Sequence, residues 1–173
     1  MGKSLDLQRR VFLKSSGAAG AVAGLAGTFA APGEAAAATP VHCPAGDATP
    51  PALSLGRLGT LRVGEPRSFH YPDARSPCLL IRMGMPTEGG VGPNQDVVAF
   101  SQLCTHMGCP VSYESGLRLL QCPCHYTTFD PERGGAMVCG QASTDLPRID
   151  LRHDSKTDII TATGVNGRIF GRL

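Results

Sequence analysis

Tryptophan is absent from this 173-residue chain, and Phe and Tyr bring the aromatic share to only 5%. Helical patterning is missing as well, since no segment keeps an apolar stripe at helical spacing over about a dozen residues. No internal repeat is present, which excludes a solenoid. The chain also lacks a usable basic excess. Its formal charge of +2 comes from the N-terminus, where Lys3, Arg9, Arg10 and Lys14 stand against Asp6 and Glu34, and the remainder holds 12 basic and 12 acidic residues. Phosphate backbones need clustered positive charge, so nucleic acid is excluded as a partner. What the chain has in quantity is Gly, 22 residues, and Pro, 14 residues. That balance suits one compact β-rich domain with many turns and a modest core.

The N-terminal stretch is poor in Leu, Ile and Val, which makes it a weak core element. "QRRVFLKSSGAAGAVAGLAGTFAAPGEAAAA" instead joins twin arginines, Arg9 and Arg10, to a Gly- and Ala-rich segment with small residues up to Ala38. It resembles a twin-arginine export signal, which implies periplasmic localisation and folding before export. Residues 1–38 are assigned to this signal. The rival is a retained membrane anchor, because Ser15 to Ala31 is nearly long enough to span. Its Gly and Ala content disfavours stable insertion.

Residues 39–60 read as a lead-in segment, with the folded domain over 61–173. Within that domain, "TLRV", "SFHY", "CLLIRMG", "DVVAFSQ", "PVSY", "LRLLQC", "RIDLR", "DIITATG" and "RIFGRL" are short strand-like runs bounded by turn residues. "SYESGLRL" reads as a hairpin around Ser115 and Gly116. The expected fold is all-β, an antiparallel sandwich or small barrel with functional loops at strand ends.

Two loops carry the chemistry. "CTHMGC" spans 104–109, and "CPCHYTTFD" spans 122–130. Cys104 and His106 come from one, Cys122 and His125 from the other. Zinc accepts two Cys and two His. A zinc protein, however, uses four ligands and leaves Cys109 and Cys124 unexplained. A mixed pair on each loop suits two metal atoms side by side, one taking a thiolate from each loop and the other an imidazole from each. That is the ligand pattern of a Rieske [2Fe–2S] centre.

"CTHMGC" and "CPCH" resemble the two cluster-binding boxes of the disulfide-containing Rieske class. The resemblance implies a Rieske-type sandwich with a cluster-binding subdomain of loops, and one [2Fe–2S] cluster per chain. Cys104 and Cys122 would bind the buried iron, and His106 and His125 the outer one. Cys109–Cys124 would be a disulfide between the boxes. "GQASTDLP", residues 140–147, would be the third loop covering the cluster, with one proline. Thr127 and Phe129 would occupy the positions that tune the reduction potential, where quinol-oxidising members place Ser and Tyr hydroxyls.

Three longer stretches, "FHYPDARSPCLLIRMG", "VVAFSQLCTHMGCPVSY" and "FDPERGGAMVCGQASTDLPRI", are similar to the small subunit of arsenite oxidase. This implies an electron-transfer subunit of a periplasmic oxidoreductase, with no catalytic residue and no substrate-oxidising site of its own. Its partners would be a large molybdopterin and [3Fe–4S] subunit and, as acceptor, a soluble cytochrome c or cupredoxin. The alternative is the Rieske subunit of a quinol-oxidising cytochrome bc1 or b6f complex, against which Tyr126 and Phe129 argue. Cytoplasmic dioxygenase-type ferredoxins lack the disulfide pair. Elsewhere, Cys78 and Cys139 are expected to be buried thiols, with Cys43 in the lead-in segment. His42, His70 and His153 are expected to be ordinary histidines, and Met107 a packing residue beside the boxes.

Overall fold

The computed structural model describes residues 50–171. The export signal and Cys43 and His42 lie outside the described residues. Among the described residues, ten strands form two antiparallel sheets. β1 (Leu53–Arg57), β2 (Arg67–His70), β3 (Pro77–Arg82), β4 (Val97–Ser101), β9 (Arg148–Asp154) and β10 (Ile159–Asn166) make the larger, in the order β1-β10-β9-β4-β3-β2. β5 (Ser112–Glu114), β6 (Leu119–Gln121), β7 (Thr128–Asp130) and β8 (Ala136–Cys139) form a four-stranded sheet in sequence order. Among the described residues no helix is long and apolar enough to cross a membrane.

The alternation of side chains along β3 and β4 explains how the core is divided. Leu79 and Ile81, with Val98 and Phe100, pack on Val111, just ahead of β5, and on Leu120 and Phe129 of the smaller sheet. Cys78 and Leu80, with Val97 and Ala99, face the opposite way against Ile149, Ile160 and Ala162. Both faces of these strands are covered, so both read as continuous apolar runs. Burying a side chain such as Phe129 or Leu120 stabilises the fold by about 1.5–3 kcal/mol.

The sheet begins earlier than the sequence suggests. β1 lies ahead of Leu61, inside the segment assigned as a lead-in, and pairs with β10. Its alternation is broken by a bulge between Ser54 and Gly56, which hides the strand signal. "RIFGRL" departs in the other direction. After Asn166 its described residues run as coil, and Gly171 settles against Gly108 of the first box. A Cβ at Gly108 would stand 2.6 Å from the Gly171 Cα, so only glycine fits this approach.

The β9–β10 turn is fastened to the first strand's end. Leu58 N–H donates to the Asp158 carbonyl, and Gly59 N–H to its carboxylate at 2.9 Å. His153, expected to be ordinary, meets the other carboxylate oxygen at 3.1 Å. These bonds, Gly59 first and His153 next, hold the Asp158 carboxyl below the usual range.

Candidate metal centre

The two boxes are copies of one backbone device. Each is a six-residue loop, 104–109 or 122–127, closed by an antiparallel pair at its base: Leu103 with Pro110, and Gln121 with Thr128. In the first, Cys104 N–H donates to the Cys109 carbonyl and Gly108 N–H to the Cys104 carbonyl. In the second, Cys122 N–H donates to the Thr127 carbonyl and Tyr126 N–H to the Cys122 carbonyl. The fifth residue has positive φ in both, 76° at Gly108 and 57° at Tyr126. Glycine takes that conformation freely, whereas tyrosine does so at a cost of about 1 kcal/mol or more.

This shared shape sorts the donors by depth. Cys104 and Cys122 point inward, 1% and 2% exposed, within the same apolar cluster as Phe100 and Phe129. His106 is half-buried and His125 exposed, with ring centroids 4.8 Å apart and planes at 80°. The Cys104 thiol is pushed up by burial, pulled down by the backbone N–H of His106, raised again by the adjacent Cys122 and lowered by the backbone N–H of Met107. Cys109 and Cys124 are joined by a disulfide, with Cα atoms 6.5 Å apart. Its two sulfurs lie within 4.8 Å of the Cys122 sulfur but are bonded to each other, so they are not available as ligands.

Loop 140–147 holds both boxes at once. Thr105 donates its hydroxyl to the Thr144 carbonyl at 2.8 Å, and Gln141 N–H donates to Thr127 Oγ1 at 3.1 Å. Gly140 lies against the Thr127 backbone so closely that a Cβ would collide. Ala142 and Leu146 are buried beside Cys104 and Cys122. Hydrogen bonds and packing thus fix a loop that has only one proline.

Several expectations need correction. Met107 is 71% exposed rather than packed, because it sits at the tip of the first box. Cys139 is exposed, because β8 is an edge strand and its residue faces solvent. Cys78 is buried as expected. Thr127 and Phe129 are both fully buried; Thr127 touches the third loop, and Phe129 pairs with Leu120 and Met137 in the small sheet. The Thr105 anchor and the backbone of Tyr126 gave no sequence signal, since neither residue is chemically unusual.

Two thiols in an apolar interior become stable thiolates only with a cation against them. Backbone N–H groups aimed at Cys104, a neighbouring imidazole pair and a cross-loop disulfide complete a donor set that fits a two-iron, two-sulfide cluster. The fold and this donor set define an iron–sulfur protein of Rieske type.

The chain belongs to the Rieske [2Fe-2S] domain family, which it matches over residues 60–150. It is 40% identical to iodate reductase subunit IdrB of Denitromonas iodatirespirans over 173 residues, covering 98% of this chain and 87% of that one. Its identity to the subunit of the same name from Pseudomonas sp. strain SCT is 42% over 122 residues, 68% of this chain and 62% of the other. Among solved structures, the soluble domain of Rieske protein II from Sulfolobus acidocaldarius superposes with a TM-score of 0.62 at 26% identity, covering 69% and 80% of the two chains. A Rieske domain carries a [2Fe–2S] cluster.

Proposed function

We propose that this chain is the Rieske electron-transfer subunit of a molybdenum oxidoreductase acting on an oxyanion. One observation carries the reading: two buried thiols lie beneath an outward-facing imidazole pair, held by three loops tied to one another. Cys104 and Cys122 are the inner ligands, His106 and His125 the outer ones. When bound, the cluster takes up and returns one electron. The protein's residues keep that centre rigid. Apolar neighbours exclude water from the sulfurs, and N–H groups of His106 and Met107 stabilise negative charge on Cys104. The imidazole edges offer the exposed side to a redox partner.

The partner is a large subunit with a molybdenum–pterin centre. Similarity to the iodate reductase subunits along nearly the whole chain favours a reductase. The three stretches given above favour arsenite oxidation with a cytochrome c or cupredoxin as acceptor. In either direction this chain is the relay. Arg9 and Arg10 support twin-arginine export to the periplasm. Affinity purification of the chain from its native host, followed by metal analysis and assays with arsenite or iodate, tests the reading. Co-purification with a molybdenum subunit and activity toward either oxyanion is the expected result. Isolation with a cytochrome b and quinol oxidation overturns it in favour of a bc1-type complex.

A further inference from the structure

A cleft of about 430 Å³ lies between the 3-10 turn Pro131–Arg133, the third loop and the segment that follows β10. Three arginines line it: Arg133 from the turn, Arg148 from the start of β9 and Arg168 from the segment after β10. Their carboxylate neighbours stand off: Asp130 is 3.9 Å from Arg133, and Asp150 is 3.9 Å from Arg148. Arg168 has no ion pair among the described residues. This differs from Arg82 and Arg118, whose guanidinium groups bond Asp96 and Glu132 at 3.0 and 2.6 Å.

Arg148 is held in place rather than free. Its side chain is only 23% exposed, and its guanidinium lies across Gly89, where a Cβ would collide with it. Gly134 lies close to both this guanidinium and the Glu88 carboxylate, so a Cβ there would crowd the two. Asp145 also lines the cleft, but its Oδ1 already accepts from Met137 N–H at 2.8 Å. The other lining residues are Glu88, Thr144, Asn166 and Gly167, together with an apolar wall of Leu146, Pro147 and the part-exposed ring of Phe170.

We propose that this cleft docks an acidic segment of a partner polypeptide, with carboxylates on the arginine forks and an apolar side chain on the Leu146–Pro147–Phe170 wall. Guanidinium forks with unused donors match carboxylates in bidentate geometry. The volume falls within the range of sites that take ligands well beyond the size of an inorganic anion. The position also has a consequence for the metal centre. The third loop bonds Thr105 through Thr144 and forms one side of the cleft, while the segment bearing Arg168 and Phe170 ends on Gly108. A segment seated here therefore rests against elements that touch the cluster boxes without covering the histidines.

The test uses the cluster-loaded full chain and calorimetric titration with an acetylated, amidated hexapeptide alternating two acidic residues with one leucine. Its Gln/Asn analogue and inorganic phosphate are titrated in parallel. The acidic peptide is expected to bind, more weakly as salt rises, and to bind about tenfold less tightly to Arg133→Gln/Arg168→Gln. Both of those side chains are at the surface, so the visible spectrum of the cluster should be unchanged. Arg148→Gln is a second variant with the same expected loss. Equal binding of the neutral analogue, or no loss in the double variant, overturns the proposal. Phosphate binding as tightly as the peptide also overturns it, by reducing the cleft to a small-anion site.

Discussion

Gly108 and Tyr126 hold the same place in two loops of one backbone shape, each at positive φ and each donating its N–H to the carbonyl of the cysteine that opens its loop. Their surroundings differ. Gly108 is pressed against Gly171, whereas the Tyr126 side chain is 70% exposed beside His125. Substitutions at the two positions should therefore have unequal effects. Gly108→Ala meets both the left-handed backbone and the Gly171 Cα, and should destabilise by more than about 1 kcal/mol. Tyr126→Gly relieves backbone strain but frees the unfolded chain, so its net effect should stay within about 0.5 kcal/mol. Denaturant midpoints of the two cluster-loaded variants check this, and a larger loss for Tyr126→Gly would contradict it.

The Cys109–Cys124 bond spans a sequence separation of 15 and connects the two boxes beside Cys122. Restricting an unfolded loop of that length is worth about 3 kcal/mol. Cys109→Ser should assemble a cluster and then lose it faster on warming, as visible absorbance decays. An unchanged decay rate would show that the bond does not shelter the centre.

Much of this site was legible because cysteine and histidine spacing states coordination chemistry without reference to distant residues. The Cys109–Cys124 disulfide is present as the motifs imply, and loop 140–147 bonds both boxes. The rest depends on tertiary placement. β7 and β8 are short, and β7 begins directly after the second box, so no alternating run announced them. "RIFGRL" has strand composition, yet Gly171 is drawn out of any strand by its contact with Gly108. The three cleft arginines are scattered over 36 positions, from Arg133 to Arg168, and only folding brings them to one surface.

Phe129 is fully buried in the apolar cluster that contains Cys104 and Cys122, and it has no hydroxyl to offer the sulfurs. Thr127 Oγ1 accepts from Gln141, so its own proton remains available to donate. Hydrogen bonds to cluster sulfurs favour the reduced state and raise the potential. Phe129→Tyr should therefore raise it by roughly 30–60 mV for a new bond worth about 1 kcal/mol in a one-electron couple. Protein-film voltammetry of both forms at one pH measures the change. A fall, or no shift with the new bond formed, would contradict this assignment.

Asp158 predicts an acid dependence far from the metal. Its carboxyl is held low by Gly59 N–H and then by His153. A depressed carboxyl pKa contributes stability that is present above the unfolded value near 4 and is lost as pH falls through the folded one. Asp158→Asn should thus melt below the native protein at pH 7, with the gap closing below about pH 4. A gap of constant size between pH 7 and pH 3 would place the effect in packing rather than in the charge.

The ligand assignment itself rests on composition. Iron, zinc and acid-labile sulfide should be counted in purified native protein and in His106→Ala and His125→Ala, together with the EPR spectrum of the reduced state. Native protein should contain two iron and two sulfide per chain and give an anisotropic signal with average g below the free-electron value, lost in both variants. Stoichiometric zinc without sulfide, or an unchanged signal in either histidine variant, would contradict a Rieske centre held by Cys104, His106, Cys122 and His125.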